Sequence, residues 1–197
     1  QENILQKIKE NIHEVDVLIF SDFNYGCLPQ NLLNEIIKLT KNKKIITAAD
    51  SQCSSQIGDI SRFKNMSLIT PTEFEARISL RNNDDGLIVL GNKLKKITNV
   101  ENVILKLGSQ GMIVFPNKTE RFKEDKLEAL NENPVDISGA GDSLLISAAL
   151  SLAVGASIYE SSLIGSIAAA IQVGRLGNIP LDLKSFYNVI QEDKTYS

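Results

Sequence analysis

Apolar positions along the chain fall into two alternating rhythms. Ile4, Leu5, Ile8 and Ile12 recur at helical spacing, and a short β-branched run from Val15 to Phe20 follows, ending at Ser21-Asp22. The pairing then repeats. Pro29 opens a helix with Leu32, Leu33, Ile36 and Leu39 on one face, and Lys44 to Ala49 reads as a buried strand closing at Asp50. Beyond a polar loop, Ser67 to Thr70 predicts a third strand, and Pro71 starts a helix carrying Glu73, Glu75 and Ile78. Asp84 to Thr98 predicts another helix with Leu87, Leu90, Leu94 and Ile97 turned inward. Asn102 to Leu107 and Gly111 to Phe115 read as strands around a tight turn at Gly108 to Gly111, with a further strand over Thr119 to Lys123. Two helices rich in small residues are predicted over about Ala140 to Val154 and Ser157 to Val173, and a last one over Leu183 to Gln191.

Short buried strands alternating with amphipathic helices predict an α/β fold, a parallel sheet with helices on both faces. Sheets of this kind bind ligands at the carboxyl ends of their strands. Asp22, Asp50, Thr70-Pro71 and Gly108 follow predicted strands directly, so the functional residues are expected along one edge. The 197 residues fit one domain, with no internal repeat or boundary, and residues 1–197 are read as a single domain.

Composition narrows the function classes. Hydrophobic residues make up 43% and charged residues 23%, as in an ordinary globular protein. The net charge of -3 and the short run Lys41, Lys43, Lys44, read as a solvated helix end, predict no nucleic-acid partner. The longest apolar run, Leu144 to Val154, is interrupted by serines, so no membrane partner is expected. Cys27, Cys53 and His13 are too few for a zinc site, and His13 sits in a predicted helix with no nucleophile motif beside it. With no disulfide framework and no apolar leader in the first ten residues, a cytoplasmic protein is expected. The chain opens inside a helix, which suggests a piece of a longer protein.

The segment richest in chemistry is Pro134-Val135-Asp136-Ile137-Ser138-Gly139-Ala140-Gly141-Asp142-Ser143. Two glycines one apart stand at the head of a long helix. Glycines let backbone N–H groups approach an anion, and a helix start offers unpaired N–H groups and partial positive charge. Together they suit a transferring phosphoryl group. Asp142, in the first turn, is placed to accept a proton from an attacking hydroxyl. The same residues also read as tight packing with an acid at a helix start. The loop is neither a Walker A loop nor a dinucleotide fingerprint, since Leu144 fills the third glycine position.

Asp136-Ile137-Ser138-Gly139-Ala140-Gly141-Asp142 resembles the D-T-x-G-A-G-D signature of the ribokinase or pfkB family of carbohydrate kinases, with Ile137 in place of Thr. The resemblance implies a ribokinase-like three-layer αβα fold with a mainly parallel sheet. It implies ATP-dependent phosphorylation of a sugar or sugar-phosphate hydroxyl, with Asp142 as base and Gly139, Ala140 and Gly141 as anion hole. Asp136 would help to organise magnesium and the phosphates.

Other segments agree in order. Ile69 to Ala76 is similar to the family's T-P-N-x-x-E element, with Thr72 for Asn, and the resemblance gives Glu75 a role in holding Mg2+ through water. Read without it, Glu73 and Glu75 are solvated acids in a first helical turn. Leu105 to Gly111 looks like the strand-turn-strand nucleotide element and implicates Lys106, Gly108, Ser109 and Gly111. Ala168 to Gly177 looks like the helix and turn near the adenine and implicates Ala169 and Val173, though its small residues also suit helix packing. Ile19 to Leu28 resembles a stretch of bacterial heptose-phosphate kinases, in which a Pro and a Lys follow the strand ending at Asp50; Ser51 and Gln52 stand here.

The family's N-terminal strands, lid sheet and most sugar contacts are not recognisable, so the lid sheet is expected to be absent. A homodimer and a nucleotidyltransferase fused in the full-length protein are partners the resemblance admits. The alternative is a catalytically weak, kinase-like binding or regulatory domain.

Overall fold

A computed structural model describes residues 1–41, 43–53, 56–121, 123–131 and 133–192. Helix α1 (Glu2–Asn11) leads into β1 (Val17–Asp22), α2 (Gln30–Thr40) and β2 (Ile46–Ser51). A short 3-10 turn over Ile60–Arg62 and strand β3 (Leu68–Ile69) precede α3 (Glu73–Leu80) and α4 (Leu87–Thr98). Then come β4 (Asn102–Lys106), β5 (Met112–Phe115), β6 (Asp125–Leu127) and the helices α5 (Ala140–Ala153), α6 (Ile158–Val173) and α7 (Leu183–Glu192).

The six strands form one sheet in the order β1-β2-β3-β4-β5-β6. The first four are parallel, and β4–β5 and β5–β6 are antiparallel. Alternation along each strand splits the core in two. Phe20, Ala49, Ile69, Val103, Leu105 and Phe115 face α2, α3 and α4, where Leu33, Ile36, Leu90 and Leu94 are fully buried. Ala48, Leu68, Ile104 and Val114 face α5 and α6 through Leu144, Leu145, Ala148 and Ile158. Each such buried Val, Leu, Ile or Phe side chain contributes about 1.5–3 kcal/mol relative to exposure. The result is the three-layer αβα sandwich expected from the alternation.

Local chemistry explains the helix boundaries. Pro29 is the N-cap of α2, where its missing N–H costs nothing. Thr72 caps α3 in a capping box: its hydroxyl accepts the Glu75 N–H while the Glu75 carboxylate accepts the Thr72 N–H. Ser157 and Glu160 do the same for α6. Helices α5 and α6 approach closely because Gly165 lacks a side chain; a Cβ there would lie 3.0 Å from the Leu144 carbonyl oxygen.

Several boundaries differ from the periodicity. The first two strands start two residues later than the apolar runs, at Val17 and Ile46, and stay paired through Asp22 and Ser51, so Asp22 and Asp50 lie inside the ladder rather than after it, with Asp22 beside Ser51 and Ser21 beside Asp50. Backbone pairing continues there although hydropathy has already turned polar. The strand expected over Thr119 to Lys123 is not one: the Asn117 side chain accepts the N–H groups of Thr119 and Glu120, which makes a side-chain-closed turn, and residue 122 lies outside the described residues. The strand comes later, at Asp125–Leu127. Ile97 is 53% exposed rather than inward, and Thr98 takes the buried position, its hydroxyl donating to the Leu94 carbonyl at 2.7 Å.

Candidate functional site

The carboxyl ends of the parallel strands hold a row of buried polar groups. Asp22, Asp50, Ser51 and Thr70 are all nearly inaccessible. Asp22 pairs with Arg62 at 3.3 Å, and the Arg62 guanidinium also donates to the Leu28 carbonyl, which fixes the loop after β1. Asn24 donates to the Ser51 hydroxyl and to the Gln52 carbonyl at 2.7 Å, so that loop is tied to the end of β2.

The glycine loop starts α5 from above this row. Gly139, the N-cap, sits in the left-handed region at φ 77°, and a Cβ on it would fall 2.2 Å from the Asn178 side-chain oxygen. A residue with a side chain meets both penalties here. The Ser143 N–H donates to the Gly139 carbonyl at 2.9 Å, the first bond of the helix. No side chain caps α5. The N–H groups of Gly141 and Asp142 precede that first bond, so they have no intrahelical acceptor and remain available to an anion.

Asp136 holds this loop in place. Its two oxygens accept the N–H groups of Ser138 and Gly177, each at 2.9 Å. Donors from Ser138 first, and then the Gly177 N–H, hold its carboxyl below the usual carboxylate range. The bonds join the glycine loop to the turn after α6, and Gln172 reinforces the junction by donating to the carbonyls of Ser138 and Gly177.

A cavity of about 320 Å³ opens in front of the loop. Lys106, Gly108, Ser109 and Gly111 border it from the β4–β5 connection, Ala169 and Val173 from α6, and Ala140 and Gly141 from the start of α5. All six residues assigned to the nucleotide from these two segments therefore line one cavity. Its remaining wall is largely apolar, with Met112, Leu130, Ile137 and Leu144, as suits a flat heteroaromatic ring with polar groups at one end. The small residues of α6 divide between core and cavity: Ala168 is fully buried, while Ala169, Ala170 and Val173 border the cavity.

At the polar end, Lys106 Nζ donates to Asp50 Oδ2 at 3.0 Å. Burial pushes the Asp50 carboxyl up, Lys106 pulls it down, and the charges of Glu75 and Asp142 push it up further. Asp142 is half-buried, and Gln52 Nε2 donates to its Oδ1 at 3.5 Å. Glu75 is buried rather than solvated. Its oxygens accept the Thr72 N–H at 2.7 Å and the Cys53 N–H at 3.2 Å, so it braces the loop after β2 against the start of α3. Glu73 is the exposed acid of that turn, paired with Arg77.

Among the described residues, no group of three or more His, Cys, Asp or Glu side chains is arranged to grip a metal ion directly. Glu75 and Asp136 both spend their oxygens on backbone N–H groups.

The pattern described as "pfkB family carbohydrate kinase" matches residues 1–184. The chain belongs to the pfkB family of carbohydrate kinases. Among its relatives, the bifunctional protein HldE of Helicobacter acinonychis (strain Sheeba) is 29% identical over 98% of this chain and 40% of its own length. The bifunctional protein HldE of Helicobacter pylori (strain G27) is 30% identical over the same shares. The chain thus spans about two fifths of the length of these curated relatives. Phosphofructokinase-2 from Escherichia coli, solved in complex with potassium, superposes with a TM-score of 0.78 at 17% identity, over 98% of this chain and 62% of its own. Arabidopsis thaliana ribokinase, solved with ribose and ATP, gives 0.75 at 20%, over 97% and 59%. These solved structures share the fold.

Within the pfkB frame, some members of the site had no role read from the sequence, Asp50, Asn131 and Ile137 among them. Asp50 was expected on the functional edge but given no role, and its pairing with Lys106 spans 56 residues. Asn131 donates to the Ala170 carbonyl at 3.1 Å and so brings the Ala129–Asn131 segment onto the cavity. Ile137, met as a departure from the pfkB signature, is 76% exposed on the cavity wall. An isoleucine where the signature has Thr is the sequence signal that could have found this apolar wall.

Proposed function

We propose that this chain is the nucleotide-binding and phosphoryl-transfer portion of a kinase acting on a hydroxyl of a sugar or sugar phosphate. One observation carries the reading: the start of α5 and six residues from two distant segments converge on one cavity that is apolar at one end and charged at the other. ATP fits it with the adenine between α6 and the β4–β5 turn and the phosphates toward Gly139–Asp142. The uncommitted N–H groups at the start of α5 then serve as the anion hole, and Asp142 accepts the proton of the attacking hydroxyl.

Magnesium enters in this reading with the nucleotide. It would supply charge neutralisation, and Glu75 would hold it through water. A buried, rigid Glu75 near Asp50 suits contact through water better than direct ligation. Asp136 acts one step back, by fixing the loop.

The relatives are bifunctional by name, and the segment Ile19 to Leu28 is similar to heptose-phosphate kinases. A heptose phosphate is therefore the first acceptor to try, and a fused nucleotidyltransferase the first companion to look for in the full-length protein. A second reading, a kinase-like domain with weak catalysis, is favoured by the contact of Gln52 with Asp142, which engages the proposed base.

The substitution Asp142→Asn in the full-length protein separates the two. With Asp142 as base, turnover drops by roughly 10²–10⁴ while ATP affinity stays within a few-fold, as measured by coupled assay and calorimetry. Turnover equal to wild type removes Asp142 from the mechanism.

A further inference from the structure

The reading above asks the start of α5 to hold a phosphoryl group of high negative charge. Helix N–H groups offset only part of that charge. The structure brings a cation to the same place from the opposite side of the site. The side chain of Lys106, at the end of β4, is only 15% exposed, and Gly141 lies directly against it: a Cβ on Gly141 would be 3.2 Å from Lys106 Nζ and 3.9 Å from Asp50 Oδ2.

The backbone below is fixed. The Lys106 N–H donates to the Pro71 carbonyl at 2.8 Å, and Lys106 forms an isolated parallel bridge with Thr72. The ammonium has three donors, and among the described residues it uses one, on Asp50. Asp50 is 1% exposed, and its second oxygen, Oδ1, has no hydrogen-bond partner.

A pair of this kind contributes little to net stability, because desolvating both charges offsets their attraction. Hydrophobic residues of similar size would hold β2 to β4 as well. What the pair does achieve is aim: it directs a lysine that would otherwise have many rotamers.

We propose that Asp50 is a positioning residue, which holds the Lys106 ammonium against the glycine loop so that Lys106 binds the terminal phosphate of the nucleotide during transfer. The role rests on the kinase reading. It uses no metal and transfers no proton. Gly141 is small because the ammonium and the phosphate share the space above it.

The test is titration of the full chain with ATP and with adenosine, followed by calorimetry, alongside thermal melts. Lys106→Met weakens ATP at least tenfold and leaves adenosine within twofold. Asp50→Asn weakens ATP in the same selective way, and the double substitution is no worse than Lys106→Met alone, as expected when one residue acts through the other. Equal loss for ATP and adenosine assigns the pair a purely structural role and overturns the proposal. So does ATP affinity within twofold of wild type in Lys106→Met. If Asp50→Asn alone fails to fold because it leaves a buried ammonium unpaired, the double substitution and Lys106→Met still decide. A wild-type chain that binds neither ligand sinks the kinase reading itself, an outcome distinct from the others.

Discussion

Two glycines three residues apart, Gly108 and Gly111, bound the turn between β4 and β5, and alanine at each should have very different consequences. Both have positive φ, 62° and 82°. At Gly108 a Cβ would meet nothing within 4 Å. The left-handed backbone costs an alanine about 1–2 kcal/mol, and the stiffer unfolded chain returns about 0.4–1 kcal/mol. A net loss near 1 kcal/mol lowers the melting temperature of a protein this size by about 2–4 °C.

Gly111 pairs φ 82° with ψ −130°, which only glycine adopts without strain of about 1–3 kcal/mol. A Cβ there would also lie 2.0 Å from the Leu127 carbonyl oxygen and 2.8 Å from the Ala129 nitrogen. Those are backbone atoms, so β6 must shift, which costs about 1–3 kcal/mol more. The expected loss of about 3 kcal/mol corresponds to a melting temperature lower by about 6–12 °C. Ala129 and Leu130 border the cavity, so ATP affinity falls with it. Differential scanning calorimetry of the two variants, with and without ATP, makes the comparison. A Gly111→Ala protein melting within about 2 °C of wild type, or one more stable than Gly108→Ala, would refute the reasoning from backbone geometry.

Two further outcomes follow from the packing and the charges. A Cβ on Gly91 would lie 2.1 Å from the fully buried Phe115 ring, so Gly91→Ala should lose about 1–2 kcal/mol in urea unfolding despite its better helix propensity, and Phe115→Leu in the same chain should recover part of it. Additive losses would mean that the two residues do not meet. Asp136 has a carboxyl held below its unfolded value, so its bonds to Ser138 and Gly177 contribute stability above the ordinary carboxylate range, near 3.8, and lose it as pH falls through the lower folded value. Protection of the Ser138 and Gly177 amides, taken relative to their intrinsic exchange rates, should fall in that acid window, and Asp136→Asn should remove this fall; protection unchanged down to pH 2 contradicts the assignment.

The elements that could be read from periodicity are those whose two faces differ. Helix α2 shows its Leu33 and Ile36 stripe because the opposite side is wet, and Pro29 and Thr72 mark helix starts through chemistry that acts within four residues. The apolar runs of β1 and β2 stop at Phe20 and Ala49, short of the last paired residues. Ser21, Asp22, Asp50 and Ser51 keep the backbone ladder while carrying the polar groups of the site, so hydropathy stops where the site begins. Strand β6 gave no pattern because Asp125 and Lys126 are exposed and only its pairing with β5 makes it a strand. The glycine loop and the β4–β5 turn were legible as local motifs. Their meeting at one cavity was not, nor was the Asp50–Lys106 pair, because both depend on contacts between segments far apart in the chain.

That separation has a kinetic consequence. Asp50 reaches Lys106 across 56 residues, and Gln52 reaches Asp142 across 90. Closing loops of that length costs entropy that local helices never meet, so such contacts form late and slowly. The charged end of the cavity is thus assembled only when β2, β4 and α5 have all docked. A nucleotide at a hundred times its dissociation constant would then add about 2.7 kcal/mol to the completed state alone. A ligand of that end would therefore stabilise the finished fold and no earlier form.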